Sequence, residues 1–320
     1  MMRNIKVAVI GCGYWGKNLA RIFAELGALK SIVDPDPKTA KLHAGNYNVS
    51  AMELSEALAD DDISGVVIAA PAGLHKELSL KAIAAGKHVY VEKPLALSVN
   101  DGEIISDAAK SAGVTLMVGH LLQYHPVFVK LREMVINGDF GSLRYAYSHR
   151  LSMGKFRLEE DAFWSLAPHD VSMILALFNE EPSEVRGGGL DFITKGIADE
   201  ARIDMVFPSG GRAHIFVSWL HPFKEQKLVI VGERSMAVFD DTKPWNEKLA
   251  IYNHNINKDG KVPEPVKSEV KYIEVQQGEP LKSECQHFLD CIASDGTPVT
   301  DGNEALRVLK VLETPKLPRA

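Results

Sequence analysis

The sequence predicts an α/β protein: a doubly wound parallel sheet, followed by an α+β domain with a mostly antiparallel, open sheet. Three observations predict it. The first 120 residues alternate short apolar runs with helix-patterned stretches, which implies parallel strands joined by right-handed crossovers. A glycine-rich turn, Gly11-Cys12-Gly13-Tyr14-Trp15-Gly16, closes the first apolar run and opens the first helical pattern. After about residue 140 strand-like runs follow one another directly, the rhythm of an antiparallel sheet.

Strands are expected at residues 5–10, 29–33, 65–69, 88–91 and 115–118, with helices near 15–26, 74–85 and 99–111 between them. Gly86 and Gly113 stand just past two of those helices, where a left-handed residue closes the last turn. Further strands are expected at 143–151, 184–190, 202–207, 212–220, 227–231 and 235–239, with Pro208-Ser209-Gly210-Gly211 as a hairpin turn. A helix at 169–178 interrupts this series, and two more near 281–292 and 303–312 close the chain. The boundary is expected near residues 123–126. It divides the chain into a domain of residues 1–122 and a second of 123–320, with the closing helices packed back on the first. Residues 314–320 read as a loose tail.

A chain of 320 residues suits two domains with sizeable cores. Its 46% apolar and 24% charged content is ordinary for a soluble globular protein, and a net charge of -6 argues against a general nucleic-acid binder. Cys12, Cys285 and Cys291 show neither metal-ligand spacing nor a disulfide framework, which fits a reducing cytosol. No metal site is expected. The start lacks the apolar core of a signal peptide, and no apolar run reaches membrane length. A cytoplasmic protein with no membrane partner is expected.

In the glycine-rich turn, Gly11 permits the tight bend, Gly13 lets backbone approach a pyrophosphate, and Gly16 allows close helix–strand packing. Tyr14 and Trp15 complete the cofactor-facing turn. Asp34 ends the second strand about 20 residues downstream, where an acid binds the adenosine ribose hydroxyls. An acid there favours NAD over NADP, and the first domain reads as a Rossmann domain for NAD. Ala69-Ala70-Pro71-Ala72-Gly73-Leu74-His75 follows the third strand. Pro71 and the backbone around it are placed to line the nicotinamide ribose. His75 either joins them or simply occupies the first turn of a helix.

Glu92-Lys93-Pro94 ends the next strand, at the sheet edge where open α/β sheets bind ligands. By itself the run also reads as an exposed charged pair stopped by proline. Gly119-His120 and Gln123-Tyr124-His125-Pro126 bring more polar groups to the same edge. In Trp164-Ser165-Leu166-Ala167-Pro168-His169-Asp170, Pro168 suits the first position of a helix. That would put His169, a candidate general base, and Asp170 in the first turn.

Gly11 to Gly16, Glu92-Lys93-Pro94 and the His169 segment, in this order and spacing, resemble the Gfo/Idh/MocA family of sugar and polyol dehydrogenases over nearly the whole chain. The resemblance implies a Rossmann domain, a second domain whose open sheet forms a subunit interface, and hydride transfer between a nicotinamide and a carbinol carbon. Lys93 and His169 take the positions of the family's catalytic residues, and Glu92 counts with the cofactor contacts. One departure stands out. Many members carry an aspartate four residues before the histidine, where this chain has Ser165.

The segments at 118–126, 148–155 and 163–173 are similar to a subgroup, the bacterial UDP-N-acetyl-2-amino-2-deoxyglucuronate 3-dehydrogenases, in which that serine is ordinary. The subgroup implies oxidation of the C3 hydroxyl of a UDP-linked uronic acid sugar, in nucleotide-sugar synthesis for surface polysaccharide. Some of its members use 2-oxoglutarate as a hydride acceptor, which makes that oxo acid a second candidate partner. Expected substrate contacts are Gln123, His125, Arg150, Lys155, Arg157, Trp164, Ser165 and His169. A diphosphate and a carboxylate call for cations. The competing reading of the basic residues is a solvated loop balanced by Glu159, Glu160 and Asp161. A strand-rich domain with an uncovered sheet face predicts a homodimer or homotetramer. Other family activities, on inositol, free sugars or dTDP-linked keto-sugars, are the alternatives, together with a non-catalytic NAD-binding regulator.

Overall fold

The computed structural model describes residues 5–158 and 160–315. The expectations placed on Met1 to Asn4, on Glu159 and on residues 316–320 lie outside the described residues. The chain forms two compact units, Met1–Tyr124 with Glu279–Leu309, and His125–Gly278 with Lys310–Ala320.

The first unit opens with β1 (Val7–Ile10), α1 (Gly16–Glu25), β2 (Leu29–Val33), α2 (Pro37–Tyr47), β3 (Ser50–Ala51) and α3 (Leu54–Ala59). It continues with β4 (Gly65–Ile68), α4 (His75–Ala84), β5 (His88–Glu92), α5 (Val99–Ala112) and β6 (Leu116–Gly119). All strands pair in parallel, in the order β3-β2-β1-β4-β5-β6. Every residue of β1, β4 and β6 is buried, as the continuous apolar runs of a parallel sheet covered on both faces require. The strand order reverses between β1 and β4. The crevice beyond their carboxyl ends is therefore the switch point of the sheet.

The apolar pattern does not announce α2, because that helix buries only Ala40 and Ala44. Its ends are marked by capping chemistry instead. The Asp36 carboxylate accepts from the backbone N–H groups of Lys38 and Thr39 at 3.1 and 3.3 Å, Pro37 stands at the start, and Asn48 closes the helix at φ 53°.

The second unit begins with α6 (Pro126–Ile136), β7 (Leu143–Met153) and α7 (Ala162–Phe178). Next come β8 (Glu184–Leu190), β9 (Glu200–Val206), β10 (Arg212–Ser218), β11 (Leu220–Gly232) and β12 (Met236–Asp240). The small strands β13 (Leu249–Tyr252), β14 (Asn255–Asn257), β15 (Glu264–Val266) and β16 (Val270–Tyr272) complete it. The large sheet runs β16-β13-β12-β11-β7-β10-β9-β8 and is antiparallel except where β7 and β10 run side by side in parallel. Alternation along β9 and β10 turns Ala201, Ile203, Met205, Ala213, Ile215 and Val217 inward. The opposite face carries Tyr147 stacked on His214 at 5.3 Å, with His149 beside Phe216.

Two helices close the chain, α8 (Pro280–Ser294) and α9 (Gly302–Glu313). Leu281, Cys285, Phe288 and Ile292 of α8 enter the core of the first unit, where Phe288 meets the Tyr90 ring edge-on at 5.8 Å. His120 and Glu304 join α9 to the end of β6 at 2.6 Å.

The helix around His169 departs from expectation. It begins at Ala162, not near Pro168, because the Asp161 carboxylate accepts from the Trp164 backbone N–H at 2.9 Å and caps it there. Pro168 is an interior residue of α7, and His169 lies about two turns in. Asp170 is accordingly not a first-turn helix charge.

Candidate active site

Three strand ends converge on the carboxyl edge of the parallel sheet. The turn after β1 is held tightly. Gly11 has φ 88°, and a Cβ there would meet the Ala69 carbonyl oxygen at 2.8 Å. A Cβ on Gly16 would fall 1.9 Å from the Gly11 carbonyl oxygen. These two glycines let the turn, α1 and the loop after β4 close on one another. Gly13 differs: it is exposed, and a Cβ on it would meet nothing within 4 Å. Packing does not explain the glycine at 13, whereas a phosphate laid against the backbone at the N-terminal end of α1 does. Asp34 accepts from the Cys12 backbone N–H at 2.8 Å and the Asp36 backbone N–H at 3.0 Å, which fixes its carboxylate beside the turn. Burial and the Asp34 charge push the Cys12 thiol up to about 11, so it stays a neutral packing group. The residues of this edge fit a dinucleotide.

Tyr14 is exposed, with the Lys17 ammonium 5.4 Å from its ring centre. Trp15 turns its indole inward, where Nε1 donates to Glu92 Oε1 at 2.6 Å. The same oxygen accepts from the Tyr90 hydroxyl at 3.3 Å. Glu92 thus ties the glycine turn to the end of β5. Burial raises its carboxyl to about 6, against the opposing pull of the Trp15 indole and the Lys93 charge. Lys93 follows immediately, half-buried at the end of β5. Pro71 is exposed after β4.

Behind Glu92 lies a group the sequence did not suggest. Glu284 of α8 is 1% exposed, and among the described residues neither carboxyl oxygen has a hydrogen bond of good geometry, the Tyr90 hydroxyl being close enough only to act on it weakly. Burial and then the Glu92 charge raise its pKa well above the ordinary value. An acid raised in the folded state contributes stability that is whole below its unfolded value of 4.5 and lost as pH climbs. Glu92 adds a loss between 4.5 and about 6. Glu284→Gln should therefore match the parent's Tm near pH 4 and exceed it increasingly toward about pH 8. Thermal melts across that range test this, and parallel curves would contradict it.

Several expected ligands are buried. His75 is 1% exposed, with both ring nitrogens on backbone carbonyls. Gln123 is 2% exposed, in the turn after β6. His125 is the N-cap of α6: Nδ1 accepts from the Val127 backbone N–H at 3.2 Å, Nε2 lies 3.4 Å from Asp241, and its ring packs on Phe239 and Trp245. It is buried as a cap, where a substrate contact was expected. The signal for it, a polar residue directly before Pro126 at a helix start, was legible.

In the second unit, Arg150 and Asp170 form a two-point pair, Nε to Oδ2 at 2.6 Å and Nη2 to Oδ1 at 3.2 Å. Ser148 also donates to Asp170. This links β7 to α7 beneath His169 and commits most of the Arg150 fork to the protein's own carboxylate. Arg157 pairs with Glu160 at 2.7 Å, as the balanced-loop reading supposed, while Lys155 is exposed. Trp164 and His169 are half-buried. Ser165 is 8% exposed and lies one turn before His169 on the same helix face. The carboxylate next to His169 is Asp170, aimed at Arg150. No three His, Cys, Asp or Glu residues cluster to hold a metal among the described residues. No described helix is long and apolar enough to cross a membrane.

Comparison with known proteins places the chain in a family. Residues 5–120 match the family model described as oxidoreductase family, NAD-binding Rossmann fold, and residues 128–238 match the GFO/IDH/MocA C-terminal domain. UDP-N-acetylglucosamine 3-dehydrogenase of Acidithiobacillus ferrooxidans is 27% identical over 309 residues, spanning 96% of this chain and 95% of that protein. A solved structure of that enzyme superposes with a TM-score of 0.85, at 26% identity over 96% of this chain and 95% of that one. The NAD-dependent scyllo-inositol 2-dehydrogenase of Bacillus subtilis is 24% identical, over 97% of this chain and 93% of its own.

Proposed function

The chain belongs to the Gfo/Idh/MocA oxidoreductase family, with an NAD-binding Rossmann domain, and on that footing we propose that it oxidises the C3 hydroxyl of a UDP-linked N-acetylhexosamine. The observation that carries the chemistry is the shared sheet edge: the open Gly13 turn after β1 and Lys93 after β5 stand at carboxyl ends of one parallel sheet. NAD, when bound, accepts the hydride. Lys93 hydrogen-bonds the C3 hydroxyl and stabilises the alkoxide that develops as the hydride leaves. His169 takes the hydroxyl proton, with Ser165 in place of an orienting carboxylate. General-base assistance of this kind is worth about 10²–10⁴-fold.

For the sugar, the segments at 118–126, 148–155 and 163–173 favour the C6-oxidised form, UDP-N-acetylglucosaminuronate, on the way to surface polysaccharide. A specific observation favours a second reading, the uncharged UDP-N-acetylglucosamine. Arg150 and Arg157, counted for a carboxylate, are paired with Asp170 and Glu160, and one relative matched over 96% of this chain is a UDP-N-acetylglucosamine 3-dehydrogenase, named for the uncharged sugar. Among the described residues, Lys155 is an exposed cation of that loop and the one we assign to a carboxylate. We expect NAD reduction, followed as NADH absorbance, with one of these two UDP-sugars and not with inositol or free glucose. NADH only with a free polyol would overturn the nucleotide-sugar reading. Adding 2-oxoglutarate to the same assay tests it as hydride acceptor. The protein is proposed to act as a homo-oligomer through the open sheet face bearing Tyr147, His149, His214 and Phe216.

A further inference from the structure

His75 opens α4 and is almost wholly buried, at 1% exposure. Its Nδ1 lies 2.8 Å from the Pro94 carbonyl oxygen and its Nε2 lies 2.9 Å from the Ala70 carbonyl oxygen. Carbonyl oxygens only accept. A neutral imidazole has one N–H and one lone pair, so it can serve one of these partners and would set its lone pair against the other. The imidazolium, with two N–H groups, serves both. Its two acceptors sit on different strand ends: Ala70 follows β4, and Pro94 directly follows Lys93 at the end of β5.

We propose that His75 is a positioning residue for Lys93: as an imidazolium bridging the Ala70 and Pro94 carbonyls, it ties the lysine-bearing turn to the loop after β4. The inference rests on the role given to Lys93 above, and it adds a residue that touches neither cofactor nor sugar. A turn anchored on one side alone could swing away from the sheet edge. Bridged to the neighbouring loop, it holds the lysine at a fixed distance from the glycine turn, because that loop is itself packed on Gly11. The charged groups of α4 and of the end of β5 have partners of their own. Lys76 bonds Asp101 at 2.5 Å, Lys81 bonds Glu77 at 2.6 Å, and Lys93 acts on Glu92.

Two measurements test the proposal. In the ¹⁵N-labelled wild-type protein near neutral pH, both ring N–H groups of His75 should be seen by NMR, assigned by their loss in His75→Gln. A single ring N–H, the mark of a neutral tautomer, would overturn it. In the second, His75→Gln should lower kcat by about 10²-fold, the scale of a 1 Å misplacement, with NAD affinity and sugar KM little changed. A residue that merely fills space would lower Tm and leave kcat of the folded enzyme at the parent value, and that result would also overturn the proposal. If the wild-type protein oxidised no sugar at all, the dehydrogenase reading would fail, and the NMR measurement would still decide the state of His75.

Discussion

Lys93→Met should lower turnover by about 10²–10⁴-fold while NAD still binds. Methionine keeps the length and apolar stem of lysine and removes only the ammonium, so the change isolates the charge and its hydrogen bonds. The Lys93 side chain leaves the sheet at the end of β5, two strands from the glycine turn, and the residues that shape the turn itself are Gly11, Gly16 and the Ala69 backbone. NAD affinity, read by quenching of the Trp15 indole or by calorimetry, should therefore survive. His169→Ala should show the same split, because its helix belongs to the other unit. With Ser165 preceding the histidine, the lysine variant should be the more severe of the two. Near-wild-type turnover in Lys93→Met would remove the lysine from the mechanism.

The second large effect separates two glycines of one turn. Gly16→Ala should destabilise the protein by at least about 1–3 kcal/mol, since overpacking against backbone leaves no side chain to move aside. The added carbon would sit 1.9 Å from the Gly11 carbonyl oxygen, so the turn or α1 must shift bodily. Gly13→Ala should leave Tm intact, because its Cβ meets nothing within 4 Å. It should instead weaken NAD binding by about tenfold or more, a cost of about 1.4 kcal/mol. The pair thus distinguishes a glycine needed for folding from one needed for the cofactor. If Gly13→Ala bound NAD normally, the pyrophosphate would not lie on that backbone.

Most of the first unit was legible because its signals are local. β1, β2, β4, β5 and β6 are short apolar runs, and their parallel pairing follows from the helices between them. The glycine turn, Asp34 and Lys93 occur at the ends of those runs, so finding the strands located the residues too. α2 and α3 carry little apolar pattern and were written only in caps, Asp36-Pro37 for one and the Glu53–Glu56 box for the other. The start of α7 differs from the sequence pattern for a related reason. Proline is common at a first helical position, and the Asp161 cap six residues upstream of Ala167 outweighed it.

Polar side chains were harder to read than strands. His75 and Arg150 have the chemistry of ligands, and nothing in the sequence says whether a ring nitrogen or a guanidinium will find its partner inside the protein; for His125 the one signal is its place before Pro126. Each did: carbonyls for His75, the α6 N-terminus and Asp241 for His125, and Asp170 for Arg150. Those partners lie from 2 to 116 residues away, and only folding brings the distant ones into reach.

The sequence alone determined the parallel sheet, the glycine turn and the place of Lys93 at its edge, because helical and strand periodicity and glycine's missing side chain act over a few residues. The tertiary structure decided which polar groups remain for chemistry. It sealed Glu284 beside Glu92, set His75 between two carbonyls and paired Arg150 with Asp170. Hydrogen bonding and desolvation are settled by the neighbours that packing supplies, from whatever part of the chain they come.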